Sequence, residues 1–348
     1  MRLKILYIGT FSARSDEGLS QISKKYYSHF NQKYEVKYFN TFDVIKPSSI
    51  KKILKFRPDI IHYLTGPTIR SFIISWLLKQ LLPGNVKTIL SATRPFFNQT
   101  YAKILKFFKP DLILTQAFKW EALFLQHGIR TAFIPNPVDL TKFKKLKTSK
   151  AKLREKYGLP LGKKLLLHVG HIKENRKLDF LVQIRDIIQH KLYQVVVVGS
   201  TFYQKQNKLT AWLMTNDCIV IDEYLKKIEE IYNACDYYVF PLANLSKNHY
   251  PKSYNEIGSI DMPLSILEAV ACGLPVISTE IDALEVLFRN VAKPPFAFLA
   301  GNNSSFIDAL MYLDEGEQFD CSTVIQKIDQ NAVFQQIDKH YHNVVGIA

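Results

Sequence analysis

Residues 258–279 read GSIDMPLSILEAVACGLPVIST, and this stretch decides the fold. Pro263 favours the first turn of a helix and Gly273 favours its end, so the pattern predicts a helix from about 262 to 272. The apolar run after Gly273 predicts a buried strand. A helix followed directly by a buried strand is typical of a parallel sheet that is covered by helices.

The predicted helix carries a carboxylate, Glu268, among apolar neighbours. A helix that is apolar on most sides is normally buried, and a buried carboxylate needs hydrogen-bond donors, such as the hydroxyls of a ligand. The alternative is a narrow polar stripe that faces solvent, because Ser265, Glu268 and Cys272 share one helix face. Asp261 stands where a helix cap would, so capping and ligand contact remain equally open for it.

The composition predicts a globular chain with two domains. A length of 348 residues exceeds what one core usually organises. A hydrophobic content of 47% and a charged content of 22% exclude a disordered chain or a disulfide scaffold. The formal net charge of +15 indicates attraction to polyanions, namely nucleic acid, anionic lipid headgroups or phosphate-bearing substrates.

The cysteines and the apolar runs indicate where in the cell the protein is expected. Four cysteines stand far apart without a CxxC pair, as reduced thiols would: Cys218, Cys235, Cys272 and Cys321. No apolar run reaches the roughly 20 residues that span a bilayer. The start, MRLKILYIGTF, predicts a first strand rather than a signal peptide. We therefore expect a cytoplasmic protein, either soluble or peripheral on the cytoplasmic membrane face.

Strand-like and helix-like segments alternate in both halves of the chain, which predicts two doubly wound parallel sheets. We expect an N-terminal Rossmann-like domain over residues 1–140 and a C-terminal one over residues 164–330. Between them, 141–163 reads as a basic linker region, since residues 142–156 hold eight Lys or Arg against one acid. A last helix, about 331–348, is expected to pack back on the first domain.

In open parallel sheets, ligands bind beyond the carboxyl ends of the strands. The predicted strand LLLHVG ends at Gly170 and leads into His171 and a cationic turn with Arg176 and Lys177. Arginine offers a planar fork of donors that suits a diphosphate. The alternative is a solvated basic turn.

The first half offers fewer candidates. His62 ends the predicted strand DIIHYL, where it either faces a ligand or serves a structural role. Gly18 closes the loop after the first strand, where a glycine allows close approach of a ligand. The sequence has no DxD, HExxH, Cys/His cluster, GxGxxG, P-loop or GxSxG motif, so we expect no metal and no dinucleotide cofactor.

Four ordered segments resemble the signature motifs of family 4 retaining glycosyltransferases. LEAVACGLPVIST (267–279) resembles their EAMACGLPVVAT, and FIPNPVDLTKF (133–143) resembles their IPNGVDxxxF. LLLHVGHIKENRKLDFL (165–181) resembles their phosphate site, and IYNACDYYVFPL (231–242) resembles their segment of Ala, Asp, hydrophobic residues and Pro. The resemblance covers roughly residues 130–290.

The resemblance implies the GT-B fold, in which two facing Rossmann-like domains enclose a cleft, and transfer of a sugar from a nucleotide-sugar with retention and without a required metal. It implies that Glu268 holds the ribose hydroxyls and that Arg176 holds the diphosphate. The sequence departs from the family where Ile260 replaces a Glu that contacts the donor sugar, so Asp261 stands one residue late. His171 replaces an arginine, and Pro137 replaces a glycine.

We therefore expect a retaining, metal-independent hexosyltransferase that acts on a glycan, lipid-linked or other acceptor. The alternatives are a nucleotide-sugar epimerase and a non-catalytic protein that binds anionic lipid or nucleic acid. Contact with an anionic membrane is expected through SIKKILKF (49–56), YAKILKFF (101–108) or the linker region, whereas nucleic acid is not an expected partner. The catalytic candidates are His62, Arg176 and Asp261; the nucleotide-binding candidates are Glu268, His171, Arg176, Lys177, Gly170, Gly18, Pro263, Leu264 and Ser265.

Overall fold

The computed structural model describes residues 2–11, 18–93, 106–172, 178–187, 192–199, 208–240, 262–279, 281–291, 294–299, 304–315, 319 and 321–346. The chain divides into two units. Unit 1 consists of Met1–Pro137, Ser259–Met262 and Gln330–Ala348, and unit 2 consists of Val138–Gly258 and Pro263–Asp329.

Unit 1 is built on a parallel sheet of six strands in the order β2-β1-β3-β4-β5-β6. The strands are β1 (Lys4–Gly9), β2 (Glu35–Asn40), β3 (Ile60–Tyr63), β4 (Lys87–Ser91), β5 (Leu112–Thr115) and β6 (Thr131–Phe133). The helices between them are α1 (Gly18–Lys33), α2 (Pro47–Phe56), α3 (Ile69–Leu81) and α4 (Phe118–Gln126), with a 3₁₀ turn at Lys106–Phe108. The inner strands β3 and β5 are buried along their whole length, as expected for a parallel sheet covered on both faces.

The last helix of the chain, α13 (Gln330–Val345), belongs to unit 1. Its apolar stripe includes Phe334, Ile337 and Tyr341, which are buried in the same core as Tyr7 of β1 and Phe30 of α1. Their spacing of three and four residues places them on one helix face. The core of unit 1 is therefore made by both ends of the chain.

Unit 2 is built on a second parallel sheet of six strands in the order β12-β11-β10-β7-β8-β9. The strands are β7 (Lys164–Val169), β8 (Tyr193–Val198), β9 (Ile219–Ile221), β10 (Tyr237–Phe240), β11 (Val276–Thr279) and β12 (Phe296–Leu299). The helices are α5 (Lys150–Lys156), α6 (Asp179–Ile187), α7 (Lys208–Thr215), α8 (Ile228–Ala234), α9 (Leu264–Ala271), α10 (Asp282–Phe288), α11 (Ser304–Glu315) and α12 (Ser322–Ile328). When the six strands are numbered from 1 at β7, their order in the sheet is 3-2-1-4-5-6, which is the order of the Rossmann fold. This order reverses between β7 and β10.

Residues 141–163, which the charge pattern predicts as a linker region, lie within unit 2. Ser149 caps the start of α5 by accepting a hydrogen bond from the Lys152 amide. Arg154 is buried and donates to the Ala234 carbonyl at 2.8 Å and to the Asp236 carboxylate at 2.6 Å. Part of the positive charge in this stretch thus holds α5 on the sheet, so it is not all available to an outside partner.

The first and the last residue of unit 2 lie side by side. Val138 begins unit 2 and Asp329 ends it, and the two residues form a parallel bridge. The Val138 amide donates to the Ile328 carbonyl at 2.8 Å. None of the described helices has the length and apolar composition that a bilayer crossing requires.

Candidate nucleotide-binding site

The site in unit 2 is built around the point where its strand order reverses. β7 and β10 are hydrogen-bonded neighbours. The strands that follow β7 in the chain, β8 and β9, lie on one side of this pair, and those that follow β10, β11 and β12, lie on the other. Ligands of open parallel sheets bind in the crevice outside the carboxyl ends of two such strands. The residues that follow Val169 of β7, together with the helix α9, therefore form the candidate site.

Two glycines bring the ends of β7 and β8 into close contact. A Cβ atom on Gly199, which follows β8, would lie 1.8 Å from the carbonyl oxygen of Gly170. The Gly170 amide donates to the Val198 carbonyl at 2.9 Å. Because Gly199 has no side chain, the backbone at Gly170 approaches it without a clash, which fixes the turn that leads to His171.

Helix α9 begins one residue later than its proline predicts. Pro263 is the N-cap residue, with φ −62° and ψ 122°, and Leu264 and Ser265 form the first turn. The first amides of a helix have no acceptor within it, and they carry the positive end of the helix dipole. Cys272 is the C-cap residue, and Gly273 follows with φ +77°, in the left-handed region that favours glycine.

Glu268 is the partly buried carboxylate of α9, whose neighbours Leu267 and Ala269 are fully buried. The buried phenol of Tyr232, on α8, donates to Glu268 Oε2 at 3.2 Å. Burial, followed by the nearby Glu268 charge, raises the pKa of Tyr232 well above its usual range, so this phenol remains a donor. The same two causes raise the pKa of the Cys272 thiol to about 12, which keeps that thiol neutral.

A second tyrosine ties α9 to the end of β7. The Tyr238 phenol of β10 donates to the Val169 carbonyl at 3.1 Å, and its oxygen lies 2.7 Å from Ser265 Oγ. A carbonyl can only accept, so the phenol's single proton goes there, and its oxygen accepts from the Ser265 hydroxyl. This arrangement brings together two regions predicted to bind nucleotide, the first turn of α9 and the segment after β7.

The other predicted residues of unit 2 divide into two groups. His171 is partly buried directly after Gly170, and the next residue, Ile172, is buried in the core of the unit. Arg176, Lys177 and Asp261 lie outside the described residues, so their predicted roles in diphosphate binding and catalysis stay predictions. Among the described residues, no group of three or more His, Cys, Asp or Glu side chains is placed to hold a metal ion.

The two predicted residues of unit 1 have different surroundings. His62 of β3 is fully buried, with Nδ1 2.7 Å from the Tyr341 hydroxyl and Nε2 2.8 Å from the Ser91 hydroxyl. Burial lowers the pKa of His62 to about 3, so the ring is neutral near pH 7. These surroundings are those of a structural histidine and give no support to the catalytic role that we considered. Gly18 begins α1 and is exposed, and a Cβ atom there would have open space around it.

Tyr232 and Tyr238 are the site residues that the sequence analysis did not identify. Both lie in the segment IYNACDYYVFPL (231–242), which resembles a family motif of Ala, Asp, hydrophobic residues and Pro. A phenol is an uncommon side chain to bury unless it has a polar partner, so the tyrosines in this apolar segment were the available signal.

Comparison with known proteins agrees with this architecture. The family "Glycosyl transferases group 1" matches residues 163–314. The putative teichuronic acid biosynthesis glycosyltransferase TuaC of Bacillus subtilis (strain 168) is 26% identical over 165 residues, which is 46% of this chain and 36% of that protein. The matched stretch therefore spans about a third of the length of this relative.

Solved structures match the chain over nearly its full length. Sucrose-phosphate synthase from Thermosynechococcus elongatus superposes with a TM-score of 0.73 at 14% identity, over 100% of both chains. HepE of Anabaena, solved in complex with UDP-glucose, superposes with a TM-score of 0.72 at 14% identity, over 98% of this chain and 100% of that one. At this identity the likeness shows the fold, which confirms the predicted α/β class with two Rossmann-like units. Residues 163–314 therefore match the group 1 glycosyltransferase family, and the chain has the two Rossmann-like units of a GT-B fold.

Proposed function

We propose that this protein is a retaining glycosyltransferase that moves a sugar from a nucleotide-sugar to a glycan or lipid-linked acceptor without a metal ion. The observation that carries the proposal is the position of Glu268. This carboxylate is partly buried on α9, beside the strands β7 and β10 between which the strand order reverses, and a buried phenol orients it. It also occupies the place of the glutamate in the glycosyltransferase motif that the sequence resembles.

Glu268 is suited to bind the ribose of a nucleotide. A carboxylate has about four acceptor positions on its two oxygens, so one carboxylate can accept both the bond from Tyr232 and bonds from ligand hydroxyls. Ribose offers two adjacent hydroxyls, each of which can donate one hydrogen bond. The fixed Tyr232 donor holds the carboxylate in one orientation, which reduces the entropy that binding would cost.

The diphosphate of the donor would then lie near the ends of β7 and α9. The backbone amides at the start of α9 and the cationic segment that begins at His171 are the groups that favour negative charge there. Arg176 and Lys177 are the proposed side-chain ligands. These groups would stabilise the charge that develops on the leaving diphosphate as the glycosidic bond breaks. The proton of the acceptor hydroxyl would pass to the leaving phosphate, so the protein need not supply a nucleophile.

The comparisons suggest a first donor and a class of acceptor. HepE was solved with UDP and with UDP-glucose, which makes UDP-sugars the first donors to test. TuaC is described as a putative glycosyltransferase of teichuronic acid biosynthesis, which makes a growing polysaccharide a suitable acceptor class. We propose a cytoplasmic location because the four cysteines stand far apart without a CxxC pair, as reduced thiols would.

Thermal unfolding with a panel of UDP-, GDP- and ADP-sugars tests the donor site. A ligand present at about 100 times its dissociation constant stabilises the folded protein by about 2.7 kcal/mol. We expect one nucleotide class to raise the unfolding temperature without added metal. If no nucleotide-sugar shifts the transition, with or without a divalent cation, the proposal is wrong. Conversion of the sugar-nucleotide in the absence of an acceptor would indicate an epimerase instead.

Substitution of Glu268 tests the residue that carries the proposal. Glu268→Ala removes the ribose acceptor, and loss of hydrogen bonds to a charged group typically costs about 1.5–3 kcal/mol. We therefore expect nucleotide affinity, measured by calorimetry, to fall by about 10- to 100-fold. The matched control is Glu155→Ala, which removes an exposed glutamate of α5 in the same unit. Equal affinities for the two variants would contradict the ribose role.

A further inference from the structure

A second surface with a distinct composition lies on unit 1, at the turn after β2 and on α2. Its apolar members are Phe42, Ile45 and Leu54, whose exposed fractions are 75%, 55% and 38%. Its cationic members are Lys51, Lys52 and Lys55, all exposed. We call these six residues the Phe42 surface. Apolar side chains exposed together on a soluble unit commonly mark an interaction site.

The exposure of Phe42 results from the ordered backbone around it. Asn40 anchors the turn, since its carbonyl accepts from the amides of Asp43 and Val44 at 3.0 and 3.1 Å. The Val44 side chain is fully buried, so its neighbours on either side are directed outward. The guanidinium of Arg70 lies 4.4 Å from the centre of the Phe42 ring and donates to the Thr41 carbonyl at 3.1 Å. The ring is thus exposed in a fixed position.

Helix α2 continues this surface. Ser49, Ile53 and Phe56 are its buried residues, which fixes the face that packs on the sheet. At 100° per residue, Lys51, Leu54 and Lys55 lie on the opposite face. The outward face of α2 therefore combines an exposed leucine with lysines.

The charge of this region is strongly one-sided. Residues 42–57 contain five lysines or arginines and a single acid, Asp43. That acid is paired with Lys46, at 2.6 Å, and the pairing lowers the pKa of Asp43. The remaining cations of the stretch are Lys51, Lys52, Lys55 and Arg57, all exposed. The surface thus offers excess positive charge around three apolar side chains.

We propose that the Phe42 surface binds an anionic lipid bilayer. Lysines attract acidic headgroups, while Phe, Ile and Leu side chains enter the boundary between headgroups and acyl chains. Nucleic acid fits less well, because aliphatic side chains such as Ile45 and Leu54 offer no ring on which bases stack. A symmetric contact with a second copy would place like charges against each other. This inference does not depend on the donor specificity of unit 2.

Co-sedimentation with vesicles tests the proposal on the full chain. We expect the protein to bind phosphatidylcholine vesicles that contain phosphatidylglycerol, and to bind pure phosphatidylcholine far more weakly. Each lysine near an anionic surface contributes about fivefold in partitioning, so K51Q/K52Q/K55Q should lower it by about 100-fold. The matched control is K208Q/K226Q/K327Q, which removes three exposed lysines of unit 2 outside the linker region and the same net charge. We expect the control to lower partitioning by less than about fivefold.

The apolar part of the surface is tested separately. Salt at about 0.5 M screens electrostatic attraction, so the binding that remains reports apolar insertion. We expect F42S/I45S to remove this residual binding, and Phe42→Ser alone to reduce it. Circular dichroism and unaltered nucleotide binding would show that each variant is folded. Equal losses in the two triple-lysine variants, or binding to single-stranded DNA without binding to vesicles, would overturn the proposal.

Discussion

At the scale of single residues, the site depends on a carboxylate and the phenol that orients it. Glu268 is partly buried between fully buried neighbours, and the donor at Oε2 comes from Tyr232 in another helix. A carboxylate in such surroundings is costly unless hydrogen bonds compensate for lost water. The tyrosine provides one such bond from within the protein, so the orientation of the carboxylate does not depend on a ligand alone.

The substitution Tyr232→Phe keeps the Glu268 carboxylate but removes the phenol that orients it, so it tests the orientation alone. Without the phenol, the carboxylate loses a hydrogen bond worth about 1.5–3 kcal/mol that helps to orient it. We expect nucleotide affinity, measured by calorimetry, to fall by about 3- to 10-fold, less than for Glu268→Ala. The matched control is Tyr237→Phe, because the Tyr237 phenol donates to the carboxylate of Asp314. That variant should lose stability and keep its nucleotide affinity; the opposite result would place the relevant phenol elsewhere.

At the scale of elements, much of unit 2 could be predicted from local sequence. The pattern predicted a helix over about 262–272, and α9 spans Leu264–Ala271, because Pro263 and Gly273 stop it through their backbone conformations. The apolar run of β11 was likewise readable as a buried strand.

The partners of the polar residues were not predictable in this way. Tyr232 lies 36 residues before Glu268 in the chain, and His62 lies 279 residues before Tyr341. Such pairs form only when distant elements pack, and local periodicity carries no information about them. For this reason the sequence left both a ligand contact and a structural role open for His62, with the structural role favoured. The positions of Arg176, Lys177 and Asp261 fall outside the described residues, so their roles stay predictions.

The substitution Gly199→Ala, which adds one methyl group, tests the close contact between the ends of β7 and β8. In Gly199→Ala the new Cβ atom would lie 1.8 Å from the Gly170 carbonyl oxygen, so the two backbones must separate. Overpacking of this kind typically costs about 1–3 kcal/mol, and we also expect weaker nucleotide binding because the turn to His171 shifts. Gly162→Ala is the control, since its Cβ would have open space, and we expect a change within about 0.5 kcal/mol. Urea unfolding measures the free energy of unfolding, and calorimetry measures the nucleotide affinity. Similar changes in both quantities for Gly199→Ala and Gly162→Ala would contradict this account.

At the scale of the whole molecule, the two units differ in how far apart in the sequence their segments lie. Unit 2 is made of Val138–Gly258 and Pro263–Asp329, whereas unit 1 also needs the last helix. The hydroxyl of Tyr341 on α13 lies 2.7 Å from His62 Nδ1 and 3.1 Å from the Tyr7 hydroxyl. A buried hydrogen-bond network therefore joins α13 to the central strands β1 and β3.

This network gives unit 1 a stability that depends on pH. The folded pKa of His62 is about 3 and its ordinary value is 6.5, so between these values the unfolded chain takes up a proton that the folded chain does not. The stability is fully present above pH 6.5 and declines as the pH falls toward 3. From about pH 7.5 to about pH 5, we expect this group to account for a loss of about 2 kcal/mol in the free energy of unfolding.

The substitution His62→Gln removes that titration. Urea unfolding of the variant should show a smaller loss between the two pH values than the wild type, even though the variant is less stable at the higher pH. His127→Gln, which removes a partly buried imidazole after α4, is the control. If both variants lose stability on acidification as the wild type does, His62 does not set the pH dependence.

The position of α13 in unit 1 also orders the events of synthesis. On the ribosome, all residues of unit 2 emerge before Gln330, so this unit does not have to wait for α13 to complete its core. The strands of unit 1 are made before those of unit 2, but the pocket for Phe334, Ile337 and Tyr341 stays unfilled until α13 has been released. The half of the protein that is translated first is therefore the half that finishes folding last.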